Sequence, residues 1–338
     1  MNLTTRYLGL DLRCPVVASA GPLSQSVDGI KALADSGVGA VVMYSLFEEQ
    51  IRHEEAQRAA LEEMYEESYA EALTYFPTVT TGGATNARLS KYLDLVERGA
   101  NAIDVPLIAS LNGSTMGGWT RTARQLQDAG AAAIELNVYF VPGNVATSGI
   151  DVENRHFEIL EAVKASVDVP VAIKLSPYFS SVGNMCIRLD QAGADGMVLF
   201  NRFLQPDIDI ETLEVSPGVH LSNRDDARLP RTWIAALHGR VEASLAATSG
   251  VENADDVVKY ILAGADVVCT TSALVRHGAA YASVLIDGLE RYLQRRELSL
   301  ETARGLLAVP QDAPADAYER SGYVAALERA KQTYGALV

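Results

Sequence analysis

One pattern recurs four times along the chain: "DSGVGAVVMY" at 35–44, "DAGAAAIELN" at 128–137, "QAGADGMVLF" at 191–200 and "LAGADVVCT" at 262–270. In each, a helix-like stretch closes on a glycine and an apolar run follows at once. Glycine takes up the left-handed conformation that ends a helix. The runs mix Val, Ile, Leu and Ala without clean polar alternation, which is how parallel strands buried on both faces read. Two further runs, "VPLIASL" (105–111) and "VPVAIKL" (169–175), open on Val-Pro, where a missing N–H does no harm at a strand start.

Adding "PVVASAG" (15–21) and "EASLAATSG" (242–250) gives eight strands, at 15–19, 38–44, 105–111, 131–138, 169–175, 195–200, 242–248 and 266–271. Helical stretches at 25–36, 88–102, 115–129, 152–167, 180–192, 252–264 and 278–296 separate most of them. Eight such units predict an α/β chain folded as a closed (β/α)8 TIM barrel, with a doubly wound open sheet as the alternative. The expected barrel domain is 1–309, followed by a C-terminal helical extension, 310–338, read as an external helix or subunit contact.

Two insertions break the rhythm. The first, 46–87, follows strand two and contains "EEQIRHEEAQRAALEEMYEESYAEA", with nine glutamates against two arginines. Leu61, Tyr65, Tyr69, Ala72 and Phe76 recur at helical spacing, as expected of a solvated amphipathic helix over the barrel mouth. A docking surface for a basic electron-transfer protein is the sharper reading. The second insertion, 201–229, follows strand six. Both leave the C-terminal ends of strands, where barrel enzymes build their sites.

The 338 residues are 48% hydrophobic, enough for a large core, and carry a net charge of −15. That charge argues against nucleic acid as a partner. Cys14, Cys186 and Cys269 lie far apart with no CxxC spacing, so neither a disulfide framework nor a metal site is expected. The N-terminus lacks the basic start and apolar run of a signal peptide, and no segment approaches a membrane span. A cytoplasmic location is expected.

Polar residues then stand out inside apolar strands. Glu135 and Asn137 lie two apart and share a face, and Lys174 interrupts another buried run. A buried Lys needs a partner, and Glu135 on the neighbouring strand can supply one. This is either a structural ion pair or a positive charge held beneath something that becomes negative. Asn112 and Asn201 add amides at two more strand ends. Thr248, Ser249 and Gly250 after strand seven, with Thr271 and Ser272 after strand eight, form a candidate phosphate cup. Helix capping is the alternative for these hydroxyl residues. A flavin fits such a set: amides for its pyrimidine edge, a cation for its reduced ring and a cup for its phosphate. No GxGxxG joins a strand to a helix, so a Rossmann nicotinamide site has no support.

In this order and spacing the motifs resemble the dihydroorotate dehydrogenases, FMN-binding barrels, and the likeness is closest to their soluble class. It runs from "YLGLDLRCPVVASAG" to "CTTSALVRHG". Ser19-Ala20-Gly21 match the family's turn after strand one, and Tyr44-Ser45 match in part its polar pair after strand two. Leu136-Asn137 correspond to its "LNxS" element, and Lys174 in "IKLSPY" to its flavin lysine. Asn201 matches its asparagine after strand six, and the cup matches its phosphate loops. The resemblance implies FMN, a small-molecule dihydropyrimidine-like or carbonyl substrate, hydride transfer to flavin N5, a place in pyrimidine biosynthesis and a homodimer. Lys174, Asn137 and Tyr139 are the expected catalytic residues.

The departures fall on the substrate side. The family's Cys or Ser base is Phe140 here, its lysine after strand two is Tyr44, and its "NxxGLPN" loop is absent. Phe140 cannot take a proton, so Tyr139, Tyr44 and His53 are the candidates to replace it. The chain thus looks like the subgroup that keeps the cofactor site without the full catalytic set. The alternative is a flavin-binding protein without turnover.

Overall fold

The computed structural model describes residues 1–51, 87–113, 119–138, 144–202, 206–216, 220–313 and 315–335. Tyr139, Phe140, His53 and most of the acidic insertion lie outside the described residues. The chain opens with an antiparallel hairpin, β1 (Thr5–Tyr7) and β2 (Leu10–Leu12). There follow β3 (Val16–Ala18), α1 (Val27–Asp35), β4 (Ala40–Val42), the short β5 (Leu46–Phe47), α2 (Ala87–Ala102) and β6 (Leu107–Gly113). Next come α3 (Trp119–Asp128), β7 (Ala133–Val138), α4 (Gly149–Lys164), β8 (Val171–Leu175), α5 (Val182–Gln191) and β9 (Gly196–Leu199). A second antiparallel hairpin, β10 (Asp207–Asp209) and β11 (Glu214–Ser216), precedes α6 (Arg228–Leu237), β12 (Ser244–Ala247), α7 (Ala254–Ala263) and β13 (Val267–Thr270). The chain ends in α8 (Ser272–His277), α9 (Tyr281–Arg296), α10 (Leu300–Ala303) and α11 (Ala315–Tyr334).

Parallel pairing runs β4–β3–β13–β12–β9–β8–β7–β6, and β6 returns to β4. That last pairing closes an eight-stranded barrel and rules out the open sheet. All eight expected strands are its staves. The four motif glycines, Gly37, Gly130, Gly193 and Gly264, have φ of +96°, +97°, +90° and +115°. Each lets the chain leave a helix and turn at once into a stave.

Three features escaped the sequence reading. The first is the N-terminal hairpin, whose strands are only three residues long. The second is β10–β11, inside the second insertion. The third is α6, masked by Pro230; that proline sits in the first turn, where its missing N–H has no helical partner to lose.

Side chains at alternate positions fill the barrel. Its lower interior is apolar: Val17, Val42, Ile108, Ala172, Val198 and Val267 pack with Tyr7, Leu8 and Leu12 of the first hairpin. The hairpin therefore plugs the end of the barrel at which the staves begin. Gly196 admits it, because a Cβ there would lie 2.4 Å from Leu8 Cδ2. A second, larger cluster lies between staves and helices. Among the described residues no helix is long and apolar enough to cross a membrane. We predict that Leu8→Ala lowers stability by about 2–5 kcal/mol in urea unfolding, the range for emptying a packed core site. A loss below about 1 kcal/mol would show that the hairpin does not plug the barrel.

Candidate active site

The strand register sets a polar row at the upper end of the barrel. Asn112 on β6 pairs with Asn137 on β7, and Asn137 pairs with Lys174 on β8. Two amides and an ammonium thus stand side by side on three adjacent staves. One step lower, Ser110 pairs with Glu135. Lys174 Nζ lies 3.4 Å from Glu135 Oε1, and both side chains are buried. The pair foreseen in the sequence is therefore formed, with the cation above its counter-ion.

Asn137 is held rather than free. Its Nδ2 donates to Ser110 Oγ at 2.9 Å, with Ser45 Oγ at 3.4 Å, and the two hydroxyls lie 2.9 Å apart. The other end of the amide, Asn137 Oδ1, is buried with no hydrogen-bond partner among the described residues. A buried polar atom left alone costs about 1–3 kcal/mol, which singles this acceptor out.

Above this row lies a cavity of about 600 Å³. Its wall includes Ala20, Ser45, Asn112, Asn137, Lys174, Asn201, Thr248, Ser249, Gly250, Thr271 and Ser272, all expected as cofactor-binding residues. Gly21 and Tyr44 are not part of the wall. A Cβ at Gly21 would lie 2.4 Å from Thr271 Cγ2, so this glycine serves the contact between two loops. The Tyr44 ring packs edge-on against Tyr92, centroids 4.9 Å apart, and burial holds its phenol above the ordinary value against the pull of Arg88. Tyr44 is thus poorly placed for the base role considered for it.

The last two loops form the cup through their backbone. Ser249 and Gly250 both have positive φ, +76° and +68°. A Cβ at Gly250 would meet Ala227 N at 2.5 Å and Asn223 O at 2.8 Å. Tyr260 locks the turn by donating to the carbonyl of Ser249 at 2.7 Å. Two of the hydroxyls expected as donors are already engaged: Thr271 Oγ1 donates to Ser19 O at 2.8 Å and Ser249 Oγ donates to Phe200 O at 3.2 Å. Ser272 Oγ accepts from Ser222 N at 3.0 Å and keeps its own proton to give. The N–H groups of Gly250 and Ser272 have no acceptor among the described residues and can serve an anion.

The sequence reading missed several residues in and under the cavity wall, five of which bear on its chemistry. Ser110 has the same parity as Asn112 and was legible from it. Cys269 lies in the floor beside the ion pair; burial and Glu135 push its thiol up to about 12, with Lys174 opposing, so it stays protonated. Arg202, His220 and Ser222 come from the second insertion. Arg202 Nη1 donates to His220 O at 2.7 Å, and Arg276 Nη2 donates to Ser222 O at 2.8 Å while pairing with Glu252. These contacts fasten the insertion across the mouth.

A profile of the dihydroorotate dehydrogenase family matches residues 2–293. The chain belongs to this family. It is similar to the protein named dihydroorotate dehydrogenase B (NAD(+)), catalytic subunit, of Methanocella arvoryzae, with 30% identity over 312 residues, covering 90% of this chain and 98% of that one. The protein of the same name from Methanocaldococcus jannaschii is 23% identical over 313 residues, covering 90% and 97%. That from Methanothermobacter thermautotrophicus is 25% identical over 316 residues, covering 88% and 95%. Within this family the Glu135–Lys174 pair has a clear energetic signature. Glu135→Leu strands a buried ammonium, so we predict a loss of about 3–5 kcal/mol in denaturant unfolding. Glu135→Leu with Lys174→Met should recover most of that loss, and a double variant as unstable as the single one would refute the pairing.

Proposed function

We propose that this family member is an FMN-dependent oxidoreductase acting on a CH–CH bond of a small dihydropyrimidine-like or carbonyl substrate in the cytoplasm. The observation that carries the reading is Asn137, whose Oδ1 has no partner among the described residues and which lines, with Lys174, a cavity large enough for a cofactor. The bound flavin would supply the hydride acceptor. The chain supplies the rest. Asn112 and Asn137 would hold the pyrimidine edge, with Asn137 Oδ1 accepting an N–H. Lys174 would favour the electron-rich ring, and the contact with Glu135 would hold that lysine in place. Asn201 would contribute an amide from the β9 side. The backbone N–H groups of the last two loops would grip the phosphate. Residues 1–309 would form the functional barrel, with 310–338 appended.

A second reading, a flavin carrier without turnover, is favoured by Phe140 at the position of the family's base. Removing the base costs roughly 10²–10⁴-fold in rate. One experiment separates the two. The purified protein should be yellow, and dihydroorotate or a related dihydropyrimidine should bleach it, with recovery on adding fumarate, quinone or NAD. Bleaching by dithionite alone supports the carrier, and a colourless protein that takes up no FMN refutes both. Asn137→Ala should weaken FMN binding roughly 3–10-fold, the worth of one neutral hydrogen bond. Gly250→Leu should abolish it, since neither the left-handed backbone nor the contact with Ala227 accommodates a side chain.

A further inference from the structure

The end of the barrel that the N-terminal hairpin closes carries a cavity of its own, of about 570 Å³. Three guanidinium groups line it, those of Arg6, Arg13 and Arg304. Two carboxylates, Asp11 and Glu301, and the hydroxyl of Thr4 share the wall. The wall is thus net positive in a chain of net charge −15. Arg6 lies on β1, Arg13 just past β2 and Arg304 just past α10, so distant parts of the sequence converge here.

The three arginines are placed but not spent. Arg6 Nε donates to Gly9 O at 3.3 Å. The strand register sets Arg6 directly opposite Asp11, yet neither makes an ion pair among the described residues. Arg13 is fixed by Nε donating to Val38 O at 2.8 Å and by Nη2 donating to Ala34 O. Arg304 donates through Nη2 to Thr5 Oγ1, and its Nη1 lies 3.4 Å from Asp266 Oδ1. Its Nε is buried with no acceptor among the described residues, a costly state for a donor.

We propose that this cavity is a binding site for a sugar phosphate. Guanidinium forks recognise phosphate oxygens through charge-assisted hydrogen bonds. Asp11 and Glu301 can accept hydrogen bonds from sugar hydroxyls, and Thr4 can give or accept one more. Two carboxylates in the same wall repel a bare polyanion, which favours a ligand whose charge sits at one end. The site lies at the opposite end of the barrel from Asn137 and Lys174 and does not rest on the flavin reading.

Isothermal titration calorimetry of the intact chain with ribose 5-phosphate, ribose, inorganic phosphate and AMP tests the assignment. Ribose 5-phosphate should bind with a dissociation constant of about 1 mM or tighter and should raise the melting midpoint. Ribose should not bind, and inorganic phosphate should bind roughly 10-fold more weakly than the sugar phosphate. Arg6→Ala, at an exposed position, should keep the circular dichroism of the parent. It should weaken ribose 5-phosphate roughly 10-fold or more, as loss of a charge-assisted hydrogen bond does. Glu301→Gln, also exposed, should weaken ribose 5-phosphate and spare inorganic phosphate. A phosphate settling in the loops after β12 and β13 would ignore Arg6, so parent-like binding by Arg6→Ala would overturn the proposal. Neither heat nor a higher melting midpoint with ribose 5-phosphate would do the same. So would inorganic phosphate matching the sugar phosphate, or AMP binding more tightly than it in an Arg6-dependent way.

Discussion

The site depends on one ion pair placed where a barrel can least tolerate a charge. Lys174 and Glu135 occupy the interior, 3.4 Å apart, directly above a layer of Val, Ile and Ala side chains. Replacing such a pair with apolar residues is often neutral or stabilising, so folding alone gives little reason to keep it. The pair makes sense as a tool. It holds a positive charge at fixed height in a region of low dielectric, where that charge acts strongly on whatever lies above it. Glu135 is not among the residues of the cavity wall and touches the site through its contact with the lysine. Cys269, kept neutral at the same depth, adds no competing charge.

Closure of the sheet converts this pair into a site. Parallel register places Asn112, Asn137 and Lys174 at one level, so three groups far apart in sequence become neighbours without any loop geometry. Alternation sends the same parity of residue inward on every stave: apolar near the hairpin plug, polar near the mouth. The loops after β12 and β13 complete the arrangement with backbone N–H groups. The hydroxyls of Thr271, Ser272 and Ser222 also tie loop to loop.

The staves were legible because burial on both faces leaves a plain signal and because each motif glycine marks a helix end. Asn137, Lys174 and their neighbours were legible for the complementary reason: a polar residue in an apolar run costs free energy unless it is used. What stayed hidden had no such signature. Three-residue strands give no periodicity. Pro230 reads as a helix breaker until its place in the first turn is known. The detachment of Tyr44 from the site reflects a tertiary contact with Tyr92 that sequence spacing does not encode. The loop-to-loop contacts of Thr271 and Ser249 stayed hidden because a Ser or Thr near a helix start suits a ligand and a neighbouring loop equally well.

The same architecture bears on where, by the motif resemblance, the chain departs from its family. The cofactor half of the site is built from strand register, so a change at Asn137 or Lys174 disturbs the interior of the barrel itself. The substrate half, by the family resemblance, is carried by segments that leave the strand ends, where residues can be exchanged without touching a stave. Phe140 lies just beyond β7, and the acidic insertion just beyond β5. A flavin-type floor alongside a changed substrate face, the arrangement the motif resemblance implies, is one that barrel geometry accommodates. Segments beyond a strand's C-terminal end carry less of the barrel's packing, so new chemistry is easiest to introduce there.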